Sequence, residues 1–539
     1  MFPVVIHESL ERRRNIPLVA RPRFAAFAPG AMASRTFWVG TALVFAGVAL
    51  RQLIFHFVYQ MYIDDSYVFM RYADNLAAGR GPAFNPGEFV MGFTSPLFTY
   101  LTAALKFAMP FVATPTILGL LNVALFVALS FGLLRLAGSQ CGAWWGLLAL
   151  WFFYSPFVDG SLNGMETMLF VALQFATVGL FARGDRNGWN FGIVAAALVA
   201  LTRPEGVLFC ALALLYVAWR RPRPRPWLGA VILVVLGSSW ALYAMSTFGH
   251  VIPQSVVAKA LSSGAGGQAE RISPLQMLPV LAFGLSSGLF IELGPRVGWI
   301  LVGLGFVALG VFAVGARALL HQRTPAVILA GFFAINWVAY AIGNPVRLWS
   351  WYTVPTAFAF WYCCFAGLAR LTEGRRILQF LVLTGVVAVS TASLVLGIRS
   401  RIVTRKSYSM PLREIARSIV DDYPKTESIM LGDIGIIGYY TKARIIDLAG
   451  LVSRTPLRRG PSGDLLSYGE LIAAERPDIL IMTHDLLTAD SRQEARVSRQ
   501  TFVRSEDRAD FERDYEDRSA RYLPFRHLYV RRAILDSSR

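Results

Sequence analysis

At 539 residues, 55% of them apolar and with a mean hydropathy of +0.49, the chain is too long and too apolar for one ordinary soluble domain. Its formal charge of +18 would point to nucleic acid in a soluble protein. Here the arginines fall at the ends of apolar runs, where cytoplasmic anchoring and anionic lipid account for them, so membrane lipids are expected partners and nucleic acid is not. The four cysteines (Cys141, Cys210, Cys363, Cys364) sit in or beside apolar segments with no disulfide or metal spacing.

Residues 1–35 carry Arg12, Arg13, Arg14, Arg21 and Arg23 and read as a cytoplasmic segment before a first span at Thr36–Phe57. No small-residue cleavage site follows, so the span is expected to be retained rather than removed as a signal peptide. A first outer loop, 59–114, comes next. Within it Ser66–Ala78 has the helical spacing of Tyr67, Met70, Arg71 and Asn75, closed by Gly79 and Gly81. Pro96–Met109 is apolar but short, and the parity of the basic loops works only if it lies on the outer surface without crossing.

Further spans are expected at Pro115–Leu136, Ala143–Phe157, Thr167–Phe181, Phe191–Leu201, Gly206–Trp219, Trp227–Ser246, Val297–Val314, Ala326–Ile342, Val354–Leu368 and Ile377–Leu396. The Arg-Pro loop Arg220–Pro226 is the strongest cytoplasmic anchor. This makes a mainly α, polytopic helical membrane domain over 36–399, with about 11 crossings and the C-terminus outside. Residues 400–539 hold most of the acids and no span. Strand-like runs at Ser428–Leu431, Arg444–Leu448 and Ile479–Met482 alternate with helical stretches at Leu412–Val420 and Leu466–Arg476, the pattern of an extracytoplasmic α/β domain. Arg504–Arg521 mixes both charge signs and reads as a solvated helix or loop.

The chemistry centres on Asp64 and Asp65, adjacent acids at the rim of the first span. Acids near a membrane are costly to keep, and a neighbouring like charge with partial burial lifts a carboxylate's pKa toward that of a useful base. The bland reading is an acidic pair at a helix N-terminus, which that end of a helix favours. The same face is expected to carry Arg71, Glu88, Glu166, Arg203, Glu205, His250, Lys259 and Arg347. Cations converging there with carboxylates suit an anionic, lipid-linked substrate such as a phosphate. Taken singly, Arg203 and Glu205 also fit a capped helix break at Pro204, and Arg347 fits snorkelling to headgroups.

Trp349, Trp351, Tyr352, Trp361 and Tyr362 read first as an interfacial belt, with sugar stacking as the alternative. The run GDIGIIGYY (Gly432–Tyr440) lacks GxGxxG spacing and a P-loop lysine, so a tight strand-to-helix packing turn is the better reading. The six histidines are scattered and compose no zinc site.

The first-loop run DDSYVFMRYADNLAAGRGPAFNPGEFVMGFTSPL resembles that of GT-C membrane glycosyltransferases that use polyprenyl-phosphate sugars. The branch is the one containing the mycobacterial terminal β-(1→2) arabinofuranosyltransferase. NGMET (163–167), LTRPEG (201–206), GHVIPQSVVAK (249–259), RLWSWYTVP (347–355) and GDIGIIGYYTKARIIDLAGLV (432–452) resemble that branch in the same order.

The resemblance implies an inverting transfer of a sugar, arabinofuranose or another pentose, from a polyprenyl-phosphate donor to a cell-envelope glycan, lipid or protein. It would take place on the outer face of a bacterial cytoplasmic (inner) membrane. It makes Asp64 the base and Asp65 its assistant, with Arg203, Lys259, His250 and Arg347 as candidates for holding the phosphate; Arg71, Glu88, Glu166 and Glu205 join the expected substrate-binding set from their placement on the outer face. No cofactor is required, and a divalent cation is not readable from these residues. The rival is a transporter or flippase of lipid-linked glycans. It would place polar groups near the bilayer midplane between inverted repeats, a pattern not visible in this sequence.

Overall fold

The computed structural model describes residues 35–140, 142–258, 272–343, 348–458, 465–487, 501–522 and 525–536. Among the described residues, six helices are long and apolar enough to cross a bilayer: Thr41–Val58, Thr114–Gly138, Trp227–Phe248, Gly294–His321, Ser350–Leu371 and the apolar part of Arg376–Asp422. Ser155–Leu162 and Thr167–Arg183, bent by 112° at their junction, make a seventh if counted as one broken span. Trp144–Phe153 has 10 residues and Glu205–Arg220 has 16; Arg186–Thr202 and Val327–Gly343 have 17 each. At 1.5 Å per residue these reach about 15 to 26 Å, against about 30 Å of hydrocarbon. Length and composition thus support six or seven spans, fewer than the eleven expected.

Ser350–Leu371 is the most enclosed of the long helices. It crosses Gly294–His321 at paired glycines. A Cβ on Gly315 would fall 1.9 Å from the Cys363 carbonyl oxygen, and one on Gly367 2.2 Å from that of Val311. Inside lipid, close backbone approach of this kind supplies the dispersion contacts that hold helices together. Cys210, Cys363 and Cys364 are buried free thiols. Pro96–Ala108, at 13 residues, packs beside the helix Asp64–Ala77 and is too short to cross.

The last long helix continues past Thr404 through a π-helical turn, Arg405–Ser409, into Met410–Asp422, so one helical rod joins the apolar bundle to a five-stranded sheet. The strands are β1 (Ser428–Leu431), β2 (Arg444–Asp447), β3 (Ile479–Met482), β4 (Tyr515–Asp517) and β5 (His527–Arg531), in the order β2-β1-β3-β5-β4. β1 pairs in parallel with both β2 and β3, whereas β5 runs antiparallel to β3 and β4. The charged stretch after Arg504 holds a helix, Ser505–Asp514, and then β4.

Strand alternation divides the sheet into two faces. Met430, Ile446, Leu480, Met482 and Tyr529 pack under the helices Tyr468–Glu475 and Ser505–Asp514. Ile429, Leu431, Ile445, Ile479, Ile481, Leu528 and Val530 pack on the other side, in one core with Tyr67, Tyr72, Phe84 and Phe93 of the first loop. The boundary expected between residues 399 and 400 therefore falls within a continuous helix, and the segments on either side of it share a hydrophobic core.

Candidate active site

The helix Asp64–Ala77 begins at Asp64, after Ile63 in extended conformation. Asp64 is buried and acts on a different helix from its own. Its Oδ2 accepts the Gly435 N–H at 2.9 Å and its Oδ1 the Ile436 N–H at 2.7 Å. These amides open the helix Ile434–Thr441, the GDIGIIGYY run, where the first N–H groups have no partner within their own helix. Glycine at 435 permits the approach, because a Cβ there would lie 1.9 Å from the Asp64 carbonyl oxygen. Burial pushes the Asp64 carboxyl up to about 7. The amide bonds work against that rise, and the charges of Asp433 and Asp65 add to it. Asp65 is half-buried.

The start of this helix is seated on the break between Ser155–Leu162 and Thr167–Arg183. The Ile63 N–H donates to the Asn163 carbonyl at 3.2 Å. Gly164 turns there at φ +77°, and a Cβ on it would meet the Tyr62 ring at 2.7 Å and Ser66 Cβ at 2.9 Å. Beyond the turn lies a buried charge cluster. Arg203 Nη1 donates to Glu166 Oε1 at 2.5 Å and Nη2 to Glu205 Oε1 at 3.1 Å, while Tyr340 OH donates to the same Glu205 oxygen at 3.0 Å. Tyr352 lies against the guanidinium, 4.7 Å from its ring centroid. Arg203 is 2% exposed and engaged by two carboxylates. Glu166 Oε2 and Asn163 Nδ2 are buried with no hydrogen-bond partner among the described residues.

Arg71 is likewise committed within the protein. It is buried, donating from Nε to the Phe84 carbonyl (2.7 Å), from Nη1 to Gly438 (2.6 Å) and from Nη2 to Ala443 (2.8 Å). Next to it Asn85 completes the edge of β2, accepting the Ile445 N–H at 2.9 Å and donating to the Ile445 carbonyl at 2.8 Å. Glu88 pairs with Arg444 on that edge. Arg71 and Glu88 therefore staple the first loop to the sheet. His250 Nδ1 engages the Ile252 carbonyl of its own loop at 2.7 Å. Lys259 and Arg347 lie outside the described residues. Trp349 and Trp351 stack with centroids 5.3 Å apart, and Trp351 joins the first-loop core.

Several groups at the site carry no signal in the sequence. Arg413 donates to Tyr67 OH at 2.6 Å and to Gln60 Oε1 at 2.7 Å. Asp433 accepts from Tyr408 OH at 2.7 Å and pairs with Arg526. Gln254 donates to the Gly450 and Ser453 carbonyls. The DLAGLV run is an acid inside its own turn, with Asp447 accepting the amides of Ala449, Leu451 and Val452; burial lifts its carboxyl to about 6.

Over 92% of its length the chain superposes on ArnT from Cupriavidus metallidurans, solved bound to undecaprenyl phosphate, covering 98% of that chain with a TM-score of 0.57 at 14% identity. The fold is GT-C. ArnT in its apo state gives a TM-score of 0.55 at 13% identity, covering 91% of this chain and 98% of that one. In sequence, the chain is 26% identical over 240 residues to a terminal β-(1→2)-arabinofuranosyltransferase of Corynebacterium glutamicum. It is 28% identical over 224 residues to the protein of that name in Mycobacterium tuberculosis. These matches span 38% and 36% of this chain and about a third, 34%, of each relative. A domain of unknown function (DUF8728) matches residues 399–527. With its apolar helices and this fold, the chain is a multi-pass membrane protein.

Proposed function

We propose that the chain is an inverting glycosyltransferase that moves a sugar, arabinofuranose or another pentose, from a polyprenyl-phosphate donor to a cell-envelope glycan, lipid or protein. One observation carries this reading: a buried carboxylate, Asp64, is held at the rim of an apolar bundle with an ionisation point raised to about 7, beside a second acid, Asp65. The arabinofuranosyltransferase relatives and the undecaprenyl phosphate bound to ArnT support the donor class.

In the proposed step the acceptor hydroxyl gives its proton to Asp64 as its oxygen bonds to the anomeric carbon. The anomeric bond to phosphate breaks, and the electron pair leaves on polyprenyl phosphate. Attack from the opposite face inverts the centre. A base with a pKa near the working pH combines a populated ionised form with enough basicity to take the proton. Asp65 orients the acceptor, and Glu166 Oε2 with Asn163 Nδ2 offers hydrogen bonds to sugar hydroxyls. His250, Lys259 and Arg347 are proposed to hold the leaving phosphate, since Arg71 and Arg203 are committed elsewhere. The step invokes no cofactor.

The topology proposed with it is that of a multi-pass protein of a bacterial inner membrane, with the sheet and the acids on the extracytoplasmic side. The test is transfer of radiolabelled sugar from polyprenyl-phosphate arabinofuranose to an arabinofuranosyl-terminated oligosaccharide by the purified chain. Absence of transfer across a panel of polyprenyl-phosphate pentoses, with the protein folded, would sink the reading.

A further inference from the structure

The Gly435–Ile436 turn is built with more constraint than packing two elements together requires. Gly435 does not have a positive φ, so the residue is not glycine for the sake of a turn. It is glycine because Asp64 lies where its Cβ would be, with the backbone oxygen at 1.9 Å and the carboxyl carbon at 3.0 Å. Each of the two amides meets a different oxygen of the same carboxylate.

The helix that presents these amides is itself anchored on both sides. Gly438 receives Arg71, and Asn85 clamps the following strand at Ile445. Asp433, just before the helix, is tied to Tyr408 and Arg526. The charged and titratable groups facing Asp64 are Asp65 on its own helix, Asp433 with its partner Arg526, and the Tyr408 hydroxyl. Both acids oppose ionisation of Asp64. The two amides are hydrogen bonds given to it, and they favour the ionised form.

We infer that the Gly435 and Ile436 amides are positioning groups of the active site, fixing the orientation of the Asp64 carboxylate and favouring its ionised form, so that the sheet-bearing segment sets the strength of the base. The inference rests on the reading of Asp64 as base. It converts the GDIGIIG run from a packing turn into the counterpart of an anion site whose anion is a side chain 371 residues away. A carboxylate with both oxygens held this way presents its remaining lone pairs in one direction, which is the preorganisation a proton transfer needs.

The test uses the full chain in lipid nanodiscs with polyprenyl-phosphate arabinofuranose and an arabinofuranosyl oligosaccharide, comparing wild type, Gly435→Ala, Ile436→Pro and Asp64→Asn. Gly435→Ala forces the carboxylate off the amides. Ile436→Pro deletes one donor in the first helical turn, where proline is tolerated, and it decides the matter if the alanine variant does not fold. The inference predicts that the acid limb of the kcat–pH profile moves up by about one unit, so that kcat at neutral pH falls about fivefold and recovers in alkali, with donor KM changed less than about twofold. An acid limb that stays at its wild-type position overturns the inference whether or not the rate falls, because a merely structural contact lowers activity at every pH alike. If Asp64→Asn is inactive while both amide variants keep the wild-type profile, the inference fails and the base assignment stands. If Asp64→Asn retains full turnover, both fail.

Discussion

The Ile436 N–H donates to Asp64 Oδ1 over 2.7 Å, joining residues 372 positions apart in the chain. The acid that opens the first loop is thus held by the opening turn of a helix in the sheet-bearing segment. Burial is the main cause of the rise of this carboxyl to about 7, so the ionised base is depleted as pH falls through that value. Turnover is therefore expected to rise from acid, reach half its maximum at about pH 7, and drop about tenfold per unit below it. A kcat profile flat between about pH 5 and pH 8 contradicts a base with this ionisation point.

Arg203 lies between Glu166 and Glu205 in the buried cluster. Removing one partner of a buried ion pair leaves uncompensated charge and costs about 3–5 kcal/mol. Arg203→Gln is accordingly expected to lower the melting temperature in detergent sharply, and Arg203→Lys to recover part of the loss because it keeps the charge without the fork. A normally stable Arg203→Gln protein with only a raised donor KM would return Arg203 to the phosphate-holding role expected from the sequence.

Asn85 pairs with both backbone groups of Ile445 at the edge of the sheet. Asn85→Ala orphans the buried Ile445 N–H, at about 1–3 kcal/mol for the unsatisfied group, while the Ile445 carbonyl keeps the Ser453 hydroxyl as donor. The readout is hydrogen exchange, where the Ile445 amide should lose protection before the amides of β3. Unchanged protection at Ile445 would show that the edge is held without Asn85.

The first loop and the sheet share one core, including Tyr67, Phe84, Ile429, Ile445 and Ile481. A chain truncated after Thr404 would expose the loop's aromatic side of that core, an apolar patch of the kind that drives aggregation. Size-exclusion chromatography of the truncated protein is expected to show aggregate, with no donor binding. A monodisperse truncated chain that binds donor would show that the loop folds without the sheet.

The bundle was legible because runs of Leu, Val and Phe between arginines leave few alternatives to membrane helices. The number of crossings was not, because Trp144–Phe153 and Ser155–Leu162 divide one apolar run at Tyr154, and hydropathy does not register a break of that kind. β1 to β3 were visible as aliphatic runs, but β4, reading Tyr-Glu-Asp, carries its acids within the strand. At the site, the acids and Arg203 were found by residue type. Their partners were not, since the ligands of Asp64 are backbone amides, which have no residue signature, and the ligand of Arg203 is a glutamate 37 positions earlier. The spacing of Gly435 and Gly438 was the available signal. Read as packing it was half right, since both glycines admit close neighbours and the first also brings two amides onto a carboxylate.

The central claim, that Asp64 is the base of a sugar transfer from a polyprenyl phosphate, is tested most directly by single-turnover transfer from polyprenyl-phosphate arabinofuranose with wild type and Asp64→Asn at matched donor occupancy. The account predicts that the asparagine protein binds donor normally and transfers at least about a hundredfold more slowly, the scale of a lost general base. Transfer at the wild-type rate with donor bound contradicts it.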